Sequence, residues 1–349
     1  PLLSLCDIVD DEMRPAYSGA WIHENPQRAL ANNSANYHDE PSTGTFLREW
    51  TALYDSKSGE RGIFSSRASA LQAQLHSDRL VDQELCSFGT NPCSEIILRS
   101  RQFCNLSEVV VRSGDTMTDI GKKVKLATML GTIQSTLTNF KYLSRDWRKN
   151  CDEERLLGVS LTGIMDNTLT ANPKPESLQH LREIAVHTNE ALAQEIGINP
   201  SASITCVKPS GTVSQLVDSA SGIHSRHSPY YIRRVRMDAK DPMTAFMQDL
   251  EWVWEPDNTK PNETVVFSFP VKSPKGSITR DKRSAIQQLE VWALYQEHWC
   301  QHKPSITITV KEDEWLEVGA LVFNNFKNMS GVSFLPHTDH SYKQAPYED

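Results

Sequence analysis

Apolar positions recur at helical spacing in several long stretches of the chain, separated by short runs rich in Val, Ile, Thr and Phe. Residues 122–140 place Val124, Ala127, Leu130/Gly131, Ile133/Ser135 and Leu137 on one side, which predicts a helix. A second helix is predicted over 175–197, opened by Pro175-Glu176 and stopped at Gly197. Residues 281–300 and 313–325 read the same way, the latter from an acidic first turn. The β-type runs are 95–98, 108–112, 203–207, 264–271 and 305–310. From about residue 60 the two patterns alternate, so the predicted class is α/β. The stretches 10–54, 166–176 and 255–263 are rich in Pro, Asn, Ser or Asp and read as loops. There is no repeat, low-complexity tract or linker, and 1–349 is expected to be a single catalytic domain.

Composition narrows the class without naming a function. The 349 residues carry 38% hydrophobic and 23% charged residues, ordinary for a globular chain long enough to bury a large core. A formal net charge of −8 gives no reason to expect a nucleic-acid or membrane partner. No apolar run approaches the ~20 residues that span a bilayer, and the first residues, PLLSLCDIVDDEM, lack the basic region and cleavage site of a secretory signal. Seven cysteines, with no C-x-x-C pair and no zinc-type spacing, fit a reducing compartment. No metal site is expected.

The candidate chemistry lies in FGTNPCSEIILRSRQFCNLSE, residues 88–108. Asn91-Pro92 disfavours helix and starts a turn, placing Cys93 near a loop tip with Ile96, Ile97 and Leu98 anchoring it. If the backbone there is extended, Cys93 and Glu95 share a face. A carboxylate beside a thiol opposes thiolate formation, and no histidine lies near in sequence, so a Cys/His nucleophile is poorly supported. A neutral thiol that gives up a hydrogen atom, beside a carboxylate acting as base, fits better.

N-P-C-S-E followed by F-C-N-L-S-E resembles the finger loop of ribonucleotide reductase catalytic subunits. So do AWIHENPQRALANNSA, LYDSKSGERGIF, ERLLGVSLTGIMD, ITCVKPSGTVSQLVDSASGIHSRHSPYYIRRVR, NETVVFSFPVK and VSFLPHTDHSYKQAPYE. The likeness runs from about Glu12 to the end and is strongest to the adenosylcobalamin-dependent (class II) enzymes and their phage relatives. It implies a ten-stranded α/β barrel of the ribonucleotide reductase and glycyl-radical type, with the finger loop carrying Cys93 at its centre.

Residue by residue, the resemblance implies that Cys93 becomes the thiyl radical that abstracts the ribose 3′ hydrogen. Glu95 would be the general base on the 3′-hydroxyl, and Asn91 would bond the substrate sugar. Cys104 would be half of a redox disulfide whose partner belongs on an N-terminal strand not in this sequence. Cys6, Cys86, Cys151, Cys206 and Cys300 are expected to be structural. The turn Pro209, Ser210, Gly211 and Thr212 in KPSGT would bind substrate phosphates; its Ser-Gly-Thr turn, ahead of a helix expected at 213–217, offers N–H groups and hydroxyls to an anion, though it is not a P-loop. The basic run 224–236 is either a solvated face or a guide for polyphosphate. Tyr230 and Tyr231 are expected to pack, since a radical-transfer pair would lie near the C-terminus, where 331–336 has none.

The implied activity is reduction of ribonucleoside di- or triphosphates, with adenosylcobalamin as radical source. The alternative is a class I-like subunit that binds no such cofactor and receives its radical from a metal-containing partner subunit. Implied partners are a ribonucleotide substrate, a deoxynucleotide or ATP effector and a thioredoxin-like reductant. The setting would be the cytoplasm of the organism or of an infected host cell. Relatives carry an N-terminal region, an Arg-Arg-Ser stretch after the PLLSLCDIVD segment and a cysteine-bearing C-terminal tail, which this sequence does not contain. No ATP-cone is recognisable. A non-catalytic paralogue would lose Cys93, Glu95 or Asn91, and a glycyl-radical enzyme would need a glycine-radical loop.

Overall fold

A computed structural model describes residues 3–16, 31–77, 79, 88–337 and 344–349. Strands β1 (Leu3–Asp7), β2 (Asn32–Tyr37) and β3 (Gly62–Ser65) are mutually parallel, with helix α1 (Thr43–Ser56) between the last two. Helix α2 (Ser66–His76) follows, and then the hairpin β4 (Gly89–Thr90) and β5 (Ile97–Leu98). The chain continues through β6 (Asn105–Val110), α3 (Met117–Gln134), α4 (Arg145–Glu154) and β7 (Leu157–Thr162). Helices α5 (Thr168–Ala171) and α6 (Pro175–Ile196), strand β8 (Thr205–Cys206) and helix α7 (Thr212–Leu216) come next. An excursion holds β9 (Tyr230–Asp238), α8 (Pro242–Asp249), β10 (Trp254–Pro256) and β11 (Thr264–Lys272). Helix α9 (Ala285–His298), β12 (Thr307–Val310), α10 (Trp315–Asn324), β13 (Gly331–Pro336) and β14 (Tyr347–Glu348) complete the order.

Two sheets form the centre. One has the order β1-β2-β3-β13-β12, and the other is the parallel set β6-β7-β8. A parallel bridge between Val207 and Pro304 joins them, with Ser305 N–H donating to Val207 O at 2.9 Å. The result is a row of eight strands. Five are mutually parallel (β6, β7, β8, β12, β13) and meet the parallel trio β3-β2-β1 at the antiparallel seam between β13 and β3. Both β3 and β7 are buried along their whole length, as expected of strands covered on two faces. The antiparallel sheet β10-β11-β9-β14 lies apart from this row. No helix among the described residues is long and apolar enough to cross a membrane.

The stretch 10–54 is not the loop its composition predicts. It contains β2 and α1, whose Phe46, Trp50 and Leu53 recur at helical spacing and enter the main core. The 166–176 loop likewise holds α5. Helix α3 begins earlier than predicted, because Thr116 and Asp119 form a reciprocal capping box. Its buried face is also different: Ile120, Gly121, Val124, Ala127, Thr128 and Gly131 pack inward, whereas Leu126, Leu130 and Ile133, and Leu137 beyond it, are exposed. Close packing is the reason, since a Cβ on Gly131 would already touch Leu157 at 3.4 Å. Helix α6 runs as predicted, from Pro175 to a left-handed cap at Gly197.

Candidate active site

The hairpin β4–β5 carries the loop 91–96 into the centre of the molecule. Its turn is closed by Ser94 N–H donating to Asn91 O at 2.9 Å. Asn91 Oδ1 accepts from Ile96 N–H at 3.0 Å, and Thr90 Oγ1 donates to Ile96 O at 2.8 Å. Ser94 has φ +66°, so the backbone is not extended between Cys93 and Glu95. The two side chains nevertheless converge, for a different reason. Lys208 Nζ lies 3.2 Å from Glu95 Oε1 and 3.6 Å from Cys93 Sγ.

Cys93 is partly exposed, while Glu95 is fully buried. Glu95 Oε2 has no hydrogen-bond partner among the described residues. Burial pulls the Lys208 ammonium down, but Glu95 and Cys93 together raise it above the ordinary lysine value. The ammonium therefore stays charged beside the carboxylate. Asn91 uses its carbonyl oxygen to close the loop, and its amide nitrogen has no partner among the described residues.

Cys104 sits immediately before β6, within the field of Glu95; burial, then Glu95, push its thiol well above the usual value. Gly158 on β7 makes room for it. A Cβ there would lie 2.4 Å from Leu106 Cδ2, 3.0 Å from Ile96 Cδ1 and 3.2 Å from Cys104 Sγ. Of the six described cysteines, Cys93 and Cys104 are partly exposed, and Cys6, Cys151, Cys206 and Cys300 are buried with free thiols. Cys86 lies outside the described residues.

The cleft beside Cys93 has a volume of about 490 Å³ and is walled by Pro92, Ser94, Pro209, Thr307, Gly331 and Ser333, among others. A second cleft of about 450 Å³ shares Pro209, Ile306 and Thr307 with it and adds Gly211, Ser221 and His224. The turn 209–212 thus borders both. Lys208 N–H donates to Ser160 Oγ at 2.8 Å, and Gly211 N–H donates to Ser221 Oγ at 3.2 Å, which fixes the turn on β7 and on the 218–222 loop. Ser210 is buried and Thr212 opens α7. Glu108, beside Ser210, is held above the usual carboxylate range by burial, which outweighs Ser210 and Lys208.

The basic run 224–236 is largely engaged inside the fold. Arg226 makes a bidentate pair with Asp166 at 2.9 Å, and Arg234 and Arg236 pair with Glu348 and Asp257. Tyr231 packs as expected, but Tyr230 is 65% exposed. Sequence reasoning passed over three residues around the loop: Lys208, His302 and Lys303. Only Lys208 lay within a quoted motif.

The loop, the buried carboxylate and the flanking turn sit in a chain that is similar to ribonucleotide reductases in sequence and in fold. No family profile matches the chain. The adenosylcobalamin-dependent ribonucleoside-triphosphate reductase of Lactobacillus gasseri is 30% identical over 97% of this chain and 47% of its own length. Those of Lactobacillus acidophilus and Euglena gracilis are each 30% identical over 74% of this chain, covering 39% and 36% of theirs. A crystal structure of a B12-dependent (class II) ribonucleotide reductase superposes with a TM-score of 0.78 at 24% identity, over 99% of this chain and 52% of that one. The class Id ribonucleotide reductase alpha subunit of Actinobacillus ureae gives 0.63 at 12% identity. The chain is homologous to the adenosylcobalamin-dependent ribonucleoside-triphosphate reductases and has the α/β fold of ribonucleotide reductase catalytic subunits. It spans less than half the length of the three reductase sequences from Lactobacillus gasseri, Lactobacillus acidophilus and Euglena gracilis.

Proposed function

We propose that this chain forms the catalytic part of a ribonucleotide reductase that converts ribonucleoside triphosphates to 2′-deoxyribonucleotides. The observation that carries the reading is the convergence on one ammonium, Lys208 Nζ, of a partly exposed thiol that lines the cleft, Cys93, and a carboxylate buried behind it with one free oxygen, Glu95. In this reading Cys93, as thiyl radical, takes the ribose 3′ hydrogen atom and later returns it. Glu95 Oε2 accepts the 3′-hydroxyl proton, and the Asn91 amide donates to the sugar. The 2′-hydroxyl leaves as water. Two electrons then come from a dithiol that closes to a disulfide, with Cys104 as one member and its partner outside this sequence. Pro209, Ser210, Gly211 and Thr212 are the proposed phosphate turn, at the border of the two clefts.

The radical source fits the site in one respect. The cleft that Cys93 lines is open and has four small residues, Ser34, Ser305, Gly331 and Ser333, in its wall beside the larger Ile63, Ile306, Thr307 and Val332, which leaves room for a group to approach the thiol. When bound, adenosylcobalamin supplies the one-electron chemistry that turns a thiol into a thiyl radical. Cys93 and the 331–333 edge of β13 are the residues that would face it. The fold is proposed to be a single catalytic barrel of ten strands, the eight-strand row described above being most of it. An effector nucleotide and a thioredoxin-like reductant are proposed partners in the cytoplasm.

The test is deoxynucleotide formation by the full-length protein supplied with ribonucleoside triphosphate, effector, dithiol and adenosylcobalamin. Product is expected, and Cys93→Ser abolishes it while nucleotide binding persists. Product that appears with a metal-loaded partner subunit and never with cobalamin overturns the cofactor assignment; activity retained in Cys93→Ser overturns the function.

A further inference from the structure

Behind the loop tip lies a lysine that the proposed reaction does not use. Lys303, in the segment between α9 and β12, is fully buried. Its Nζ donates to Ser94 Oγ at 3.0 Å and to Ser330 O at 3.1 Å, and lies 4.3 Å from the centroid of the Phe64 ring. Its backbone N–H donates to Glu95 O at 3.2 Å. The chain clears space for this contact at Gly331, where a Cβ would lie 2.8 Å from Lys303 Nζ and 2.9 Å from Ser94 Oγ. One amine thus ties the tip of the loop to β13 and β3, the two strands of the antiparallel seam.

A buried lysine is an expensive way to fill space. Burial pulls Lys303 down to about 7, with the Glu95 charge opposing, and an apolar side chain of similar volume would avoid the desolvation. What the amine does and an apolar side chain cannot is bond the Ser94 hydroxyl. Ser94 needs holding: its φ of +66° is left-handed and lacks the freedom of glycine. Ser94 separates Cys93 from Glu95, so its backbone conformation sets where both side chains point.

We propose that Lys303 is a positioning residue for Cys93, locking the Ser94 turn against β13 so that the sulfur is presented to the cleft at a fixed angle. Its catalytic consequence rests on the reading of Cys93 given above; the positioning itself does not, and can be measured in the chain without nucleotide or cofactor. The amine acts through the turn and not on the substrate.

The experiment is alkylation of the native protein by iodoacetamide, with the modified cysteines mapped by mass spectrometry. The proteins compared are wild type, Lys303→Met, Ser94→Ala, the double variant and Ser94→Thr, which keeps the hydroxyl. Lys303→Met and Ser94→Ala are each expected to change the Cys93 rate by roughly threefold or more, and the double variant no further, because the two side chains act as one unit. Ser94→Thr is expected to stay near wild type, and Cys206 and Cys300 to remain unreactive throughout. In turnover assays Lys303→Met lowers kcat with little change in KM. An unchanged Cys93 rate in Ser94→Ala, additive effects in the double variant, or exposure of Cys206 and Cys300 together with Cys93 overturns the proposal. Should Lys303→Met fail to fold, Ser94→Ala against Ser94→Thr decides. A shifted alkylation rate in a protein that makes no deoxynucleotide would leave the positioning intact and remove the functional reading instead.

Discussion

Lys208 bridges the thiol and the carboxylate of the loop, with Nζ 3.6 Å from Cys93 Sγ and 3.2 Å from Glu95 Oε1. Glu95 is buried with Lys208 as its ion-pair partner, and removing the ammonium leaves its charge uncompensated in the interior. In the proposed reaction Lys208→Met is therefore expected to lower kcat by about 10²-fold or more, in the range that general-base catalysis contributes. Glu95→Gln keeps the shape and removes the proposed base, with an expected loss of about 10²–10⁴-fold. Single-turnover product formation checks both. A Lys208→Met rate equal to wild type would remove the lysine from this role.

At the scale of elements, one glycine and one ion pair set the base of the site. Gly158 is the point where β7, Leu106, Ile96 and Cys104 come closest, and Gly158→Ala places a methyl 2.4 Å from Leu106 Cδ2. Overpacking of this kind costs about 1–3 kcal/mol, measured by denaturant unfolding. The loop beneath the 209–212 turn depends on Asp166, which accepts from Arg226 Nε and Nη2 at 2.9 Å and from Ala220 N–H at 2.7 Å. Asp166→Asn leaves the buried guanidinium with Asp218 as its remaining carboxylate partner, an expected loss of about 1.5–3 kcal/mol. A loss below about 1 kcal/mol, the range of an exposed pair, would contradict that burial.

The same elements explain what the sequence could tell. The turn at Asn91-Pro92 and both ends of α6 were legible, because Pro and Gly act locally. Helix α1 was hidden by its Asn- and Ser-rich neighbourhood, although Phe46, Trp50 and Leu53 carry the period. The face of α3 was misassigned, because periodicity alone does not say that Gly121, Thr128 and Gly131 permit a closer approach than leucines would. Finger-loop roles came from local motifs. Their supports did not: Lys208, His302 and Lys303 reach Cys93, Ile97 and Ser94 from more than 100 residues away. Nothing in an isolated lysine codon marks such a contact.

Over the whole molecule, residues 301–304 act as a hub between the strand sets. Gln301 and His302 N–H groups donate to Thr205 O, Lys303 N–H donates to Glu95 O, and Pro304 bridges Val207. His302 completes the hub: Nδ1 accepts from Ile97 N–H at 3.2 Å, so Nε2 carries the proton and donates to Leu157 O at 3.0 Å. The finger hairpin is thereby tied to β7 through a neutral imidazole. Burial, and then Arg79, hold His302 down at about 3, against 6.5 for the free group. Between those values the unfolded chain binds a proton that the folded chain excludes. Stability from this residue is therefore present above about pH 6.5 and lost as pH falls towards 3. His302→Gln retains an acceptor and a donor but does not titrate. Comparing the two proteins at the same pH cancels the other groups, and wild type should lose about 2 kcal/mol relative to the variant between pH 6.5 and 4.5. Urea unfolding at several pH values measures this. Curves that stay parallel would mean that His302 is already charged in the fold, and that the hairpin is held to β7 by some other bond.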